Sequence, residues 1–148
     1  MASLVHMPSS HHLRRLSALA VVALAAVTAC GDDDDDAAVA AADLDGKTFI
    51  ATETEGHTIV EGSTVSIIFA DGNLSVAAGC NTLNGEYTIE DGVLSTGELA
   101  ATLMACDADL TAQQDWLNDL ITSDPEVELD GDQLVLSSGS DSITLEAA

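Results

Sequence analysis

The sequence predicts an α+β domain: a mainly antiparallel, partly closed sheet of about seven or eight short strands, packed against one α-helix. Three observations carry this. Apolar residues alternate with polar ones over short runs after residue 43, as half-buried strands require. Asp-Gly pairs recur between those runs, and such pairs accept the positive φ of tight hairpin turns. One later segment instead repeats its apolar residues at helical spacing.

The strands follow in order. Lys47 to Thr54 sets Thr48, Ile50 and Thr52 opposite Phe49 and Ala51. Thr64 to Ala70 places Val65, Ile67 and Phe69 on one face, and Asp71-Gly72-Asn73 turns the chain into Leu74 to Ala78. Asp91-Gly92 separates Tyr87-Thr88-Ile89 from Val93-Leu94, and Asp130-Gly131 separates Val127-Glu128-Leu129 from Leu134-Val135-Leu136. Ser138-Gly139-Ser140 precedes the last run, Ile143-Thr144-Leu145. The helix spans Leu110 to Ile121, with Leu110, Trp116, Leu117, Leu120 and Ile121 as its apolar positions. Thr111 to Gln114 has the form of a capping box, Asp109 competes as the cap, and Pro125 supplies the stop. A single helix among so many strands implies a sheet that curls around it or is plugged by it.

Before the domain lies a leader. Arg14 and Arg15 precede an apolar stretch from Leu16 to Thr28 that is shorter than the ~20 residues a spanning helix needs. Val27-Thr28-Ala29-Cys30 has the form of a lipobox, where a diacylglyceryl group joins the cysteine before the leader is removed. The expectation is a signal peptide over 1–29, a lipidated Cys30 and a domain on the extracytoplasmic face of the cell membrane. Two or three acyl chains make such an attachment durable where one is marginal. Asp32 to Asp36 and the alanine-rich residues up to 42 read as a self-repelling, solvated tether. The domain is then 43–148.

Removing the leader takes Arg14 and Arg15 from a chain of formal charge −23 and leaves Lys47 alone against 26 Asp and Glu, a charge of −25. Phosphate backbones need several clustered cations, so nucleic-acid binding is excluded as a function class. Contact with the membrane must come through the lipid.

Cys80 and Cys106 are the cysteines left once Cys30 is acylated. In an exported chain a disulfide is the expectation, with buried free thiols as the alternative. No Cys-x-x-Cys supports redox chemistry. His57 is the one histidine after the leader and lacks companions for a zinc site. Neither a Gly-x-Ser-x-Gly turn nor a Ser-x-x-Lys is present. Four aromatic residues are few to line a sugar cleft for a carboxylate-pair enzyme. These readings point to a non-enzymatic protein without a cofactor or metal.

Gly79-Cys80-Asn81 followed by Asn84-Gly85-Glu86-Tyr87 resembles the first signature of META domains, a family that includes HslJ-like heat-shock lipoproteins. Thr102-Leu103-Met104-Ala105-Cys106 matches the second signature. Gln113 to Leu117 resembles the start of the family helix, with Gln113 in place of Glu and Trp116 in place of Phe. Leu44-x-Gly46-x-x-Phe49 resembles the family opening, with Phe49 in place of Trp. The resemblance runs from about Leu44 to Leu145. It implies a partly closed antiparallel sheet on one helix, and association with heat-shock response, antibiotic tolerance and the cell envelope.

Asn81, Asn84 and Tyr87 are the candidate recognition patch around the Cys80 loop. The competing reading gives both asparagines turn geometry and Tyr87 a half-buried strand position. Two binding roles are expected: docking of an envelope protein, or carriage of a small hydrophobic ligand or acyl chain between sheet and helix. An apolar cavity favours the second; close packing with an exposed edge favours the first.

Overall fold

The computed structural model describes residues 38–148. The leader, Cys30 and the aspartate run lie outside the described residues. The chain runs as α1 (Ala41–Leu44), β1 (Thr48–Glu55), β2 (Val65–Ala70), β3 (Asn73–Ala78), β4 (Thr82–Glu90), β5 (Val93–Thr96), β6 (Ala100–Ala101), α2 (Ala108–Thr122), β7 (Glu126–Asp130), β8 (Gln133–Ser138) and β9 (Asp141–Ala147). The short helix α1 starts inside the segment expected as tether. Asp43 holds it by accepting from the Ala40 N–H at 2.8 Å.

All pairings are antiparallel, in the order β3-β2-β1-β9-β8-β7-β5-β4, and β3 pairs with β4 to complete the circle. The expected partly closed sheet is therefore a closed eight-stranded barrel, with β6 added outside β4 as a ninth short strand. Closure depends on a narrow seam. β5 meets β7 at one residue pair, Val93 with Glu126, flanked by Leu94 N–H to Pro125 O and Val127 N–H to Gly92 O at 2.9 and 2.7 Å. A seam this short is invisible to local periodicity.

Alternation decides what faces inward. Val65, Ile67 and Phe69 are buried, as are Leu74 and Val76, Leu134 and Leu136, and Ile143 and Leu145. Ile50 and Ile68, one residue out of step, remain about two-fifths exposed at 41% and 43%. Phe49, Phe69 and Tyr87 form an edge-to-face chain with ring centroids 6.0 and 5.0 Å apart. Such offset contacts suit the ring quadrupoles and add to the area each ring buries.

The turns are tight where the strands need them. Asp71 and Gly72 both take positive φ (54° and 75°), the combination a two-residue hairpin turn demands. The β7–β8 turn sits one residue later than the sequence suggests. Asp130 ends the strand opposite Gln133, and Gly131–Asp132 make the reversal.

Each barrel end is stoppered. At one rim, α1 inserts the fully buried Leu44, Gly46 N–H reaches Phe69 O at 2.8 Å, and Asp45 accepts from the Asp71 N–H at 2.7 Å. At the opposite rim α2 lies across the opening, burying Gln113, Leu117, Leu120 and Ile121. The helix is longer than expected, and Asp107 caps it by accepting from the Leu110 N–H at 3.0 Å. Neither Asp109 nor Thr111 is the cap, because Cys106 holds the chain so that the residue after it makes the turn into the helix.

Candidate functional site

The rim under α2 gathers most of the conspicuous residues of the sequence. Cys80, in the β3–β4 turn, and Cys106, just before α2, are joined as a disulfide with Cα atoms 6.1 Å apart. The bridge ties the start of α2 to the β3–β4 turn.

Asn81 acts beside it as a second tie. Its side chain is 7% exposed. Oδ1 accepts from Thr102 Oγ1 and from the Met104 N–H at 2.9 and 2.8 Å. Nδ2 donates to Met104 O and lies 3.2 Å from Cys106 Sγ. An amide presenting both donor and acceptor to one residue's backbone imitates a strand partner. Thr102 adds to this, since its N–H reaches Thr82 O at 3.1 Å and its hydroxyl accepts from the Thr82 N–H at 3.0 Å.

The segment held in this way is not buried. Leu103 is 96% exposed and Met104 63%, and both are large and apolar. Ala100, Ala101 and Ala105 around them are also exposed. Fixed backbone and projecting apolar side chains make the 100–105 segment a rigid protrusion.

Gln113 anchors α2 over the opening. It is fully buried, and its Oε1 accepts from the Val60 N–H at 2.6 Å. Its Nε2 donates to Ala78 O at 2.8 Å and to Ser63 Oγ at 3.1 Å. Gly79 follows Ala78 with φ +97°, and a Cβ there would come within 2.9 Å of Gln113 Nε2. Trp116 Nε1 donates to Asp141 at 3.2 Å while its ring stacks on His57, centroids 5.3 Å apart. His57 is therefore packed on the helix rather than free in a turn.

The three residues of the candidate patch are not brought together. Asn81 is occupied inside the rim. Asn84 is exposed on the outer face of β4, level with Ala100. Tyr87 is buried in the core and its hydroxyl points to the other rim, 3.4 Å from Ala41 O. Leu103 and Met104 are what the sequence reading passed over. The signal was there: two large apolar residues that fit neither the strand alternation nor the helical repeat.

Burial, and then the Asp45 carboxylate, raise the Tyr87 phenol above its ordinary value of 10.0. The unfolded chain gives up this proton first, so stability is unaffected below about pH 10 and falls as pH rises beyond it. Tyr87→Phe is expected to abolish that alkaline decline, read as urea midpoints of both proteins across the range. An identical decline in the variant would assign it to other groups.

Two clefts flank α2. One of about 390 Å³ is lined by Thr96, Gly97, Glu98, Leu99, Asn118 and Thr122. The other, about 470 Å³, is lined by residues including His57, Ile59, Val60 and Asp109. Among the described residues no three His, Cys, Asp or Glu gather as a metal site, and no helix is long and apolar enough to cross a membrane.

A family model described as META domain matches residues 42–148. Among solved structures, the chain is similar to a protein from Burkholderia xenovorans determined by NMR, with TM-score 0.61 and 22% identity over 73% of this chain and 86% of that one. A second NMR structure matches with TM-score 0.63 and 22% identity, over 73% of this chain and 94% of the other. A DUF4847 family protein from Bacteroides vulgatus matches at TM-score 0.49 and 14% identity, over 70% and 93% of the two chains. The likeness to the two NMR structures shows the fold. No curated protein matches the sequence.

Proposed function

This chain belongs to the META domain family, and on that premise we propose an extracytoplasmic lipoprotein that acts without catalysis, docking an envelope protein in envelope maintenance or stress and antibiotic tolerance. The observation that carries the reading is the protrusion at Leu103 and Met104. Large apolar side chains held out in water by a fixed backbone suit an interface, because burying them removes apolar area from water and little backbone ordering entropy is left to lose on association. Asn81, Thr102 and the Cys80–Cys106 bridge supply the fixing.

The chain enters the barrel at the α1 rim, and the protrusion is at the α2 rim. Carriage of an acyl chain has less support, because the space between sheet and helix is filled by Gln113, Leu117, Leu120 and Ile121.

Membranes from cells making the full chain, solubilised in mild detergent, test this on a native gel. The wild-type chain is expected to migrate in a complex heavier than itself, and Leu103→Asp/Met104→Asp to migrate alone. These exposed positions tolerate charge, so the melting temperature should stay within about 2 °C. A wild-type chain that migrates alone, or a double variant that keeps its complex, would defeat the docking reading. Intact mass spectrometry of the same fractions should give residues 30–148 plus two or three acyl chains; a mass without them would defeat the anchor.

A further inference from the structure

We infer that the outer edge of β6 takes an extended segment of a cationic partner polypeptide by strand addition, with Leu103 and Met104 seating its apolar side chains. This rests on the docking reading and specifies how the partner binds and what kind of chain it is.

The hydrogen-bond pattern identifies the open groups. In an antiparallel pair, opposed residues alternate between exchanging hydrogen bonds and turning their backbone groups away from each other. Thr102 bonds to Thr82, so the next pair, Ala101 with Leu83, turns away. The β3 side agrees: Ala78 N–H reaches Asn81 O at 2.9 Å and Tyr87 N–H reaches Gly72 O at 3.0 Å, which directs Leu83 toward Val76 of β3. The N–H and C=O of Ala101 consequently point outward from β4. β6 is the terminal strand of the sheet order, and every other strand of the barrel has neighbours on both sides.

Natural edges are usually guarded by charge, proline, a bulge or, as at the two residues of β6, by shortness. This one carries Ala100 and Ala101, both exposed, with the rigid Leu103 and Met104 directly after. Small side chains let a second backbone approach, and an added strand gains main-chain hydrogen bonds there.

Charge selects the occupant. Residues 38–148 contain Lys47 as their one Lys or Arg against 21 Asp and Glu, with Glu98 before β6 and Asp107 and Asp109 after it in sequence. A second copy of this chain would bring the same charge to the same edge and be repelled. A strand bearing Lys or Arg is attracted, and the surrounding carboxylates steer it to the edge faster than a neutral one.

The experiment places a photo-reactive benzoylphenylalanine at Leu103 of the full chain, irradiates producing cells, and identifies the cross-linked peptide by mass spectrometry. The expected adduct joins a partner segment with net positive charge. Its yield should fall about tenfold in Ala101→Pro, which removes the outward N–H and leaves the β4 pairing untouched. Ala101→Gly keeps that N–H and should keep the yield, and both variants should retain the disulfide and the melting transition. Adducts that survive Ala101→Pro, that map to an acidic segment, or that have the mass of two copies of this chain overturn the strand-addition inference and leave docking standing. Absence of any adduct from the otherwise native chain overturns both.

Discussion

Replacing Cys80 and Cys106 together by serine is expected to lower the unfolding free energy by about 3–4 kcal/mol, the chain-entropy value for a loop of this size. The two residues are separated by 26 positions, and the bridge spans β4, β5 and β6. For a small domain whose net stability is about 5–15 kcal/mol, that is a large share. Urea unfolding of the oxidised wild type against the double variant measures it. The variant should also unfold with a steeper denaturant slope, because its unfolded chain, freed of the cross-link, exposes more surface. Wild type treated with a reductant should match the variant. A difference below about 1 kcal/mol would mean that Asn81 and the β4 pairings already hold the rim, leaving the bridge little unfolded-state entropy to remove. Hydrogen exchange at the Met104 amide separates the local effect from the global one. It should accelerate in the variant beyond what the loss of global stability accounts for, since the Asn81 bond to that amide then spans an untied loop.

Gln113→Leu is expected to cost about 3–5 kcal/mol, although it nearly preserves volume and adds apolarity. The loss comes from partners rather than packing. Ala78 C=O would stay buried under α2 without a hydrogen bond, at about 1–3 kcal/mol, the half-buried Val60 N–H would lose its acceptor at the low end of that range, and Ser63 Oγ would lose its donor. Gln113→Glu sharpens the point. A carboxylate still accepts from Val60 N–H but sets a lone pair against Ala78 O, so the folded state favours the protonated acid and raises its pKa. Below about pH 4 both states are protonated and the penalty is small; it grows as pH rises through the unfolded value near 4.3. The stability difference between Glu and Gln proteins should therefore widen from pH 4 toward pH 7. A difference independent of pH would show that the amide's donated hydrogen bond is immaterial.

These two ties explain why the signatures lie where they do. Gly79 lets the turn come close to Gln113, Cys80 bonds to Cys106, and Asn81 clasps Met104. Asn81, which reads as part of a binding patch by its polarity, is consumed by the rim, while Asn84 stays exposed on β4. Tyr87 is similar: a polar tip on a strand, spent on the Ala41 carbonyl.

Local chemistry carried much of the fold. The alternation of Val65, Ile67 and Phe69, the Asp71–Gly72 hairpin and the apolar face of α2 are properties of contiguous residues, each decided by neighbours a few positions away. Sequence by itself also determined the charge, with Lys47 the one Lys or Arg among residues 38–148, and hence the classes of partner that are repelled. Tertiary structure alone decided the rest. The barrel closes because Val93 meets Glu126, 33 positions on, a contact that no local period encodes. Asp107 and Asp109 are equal as intrinsic caps, and Asp107 caps α2 directly after the Cys106 bridge to Cys80, which fixes the chain at that point. Ala101 has an open edge because β4 is already paired with β3 on its other side and β6 is the last strand added. In each case the outcome rests on which distant backbone groups are already satisfied, and that is settled when the whole chain is packed.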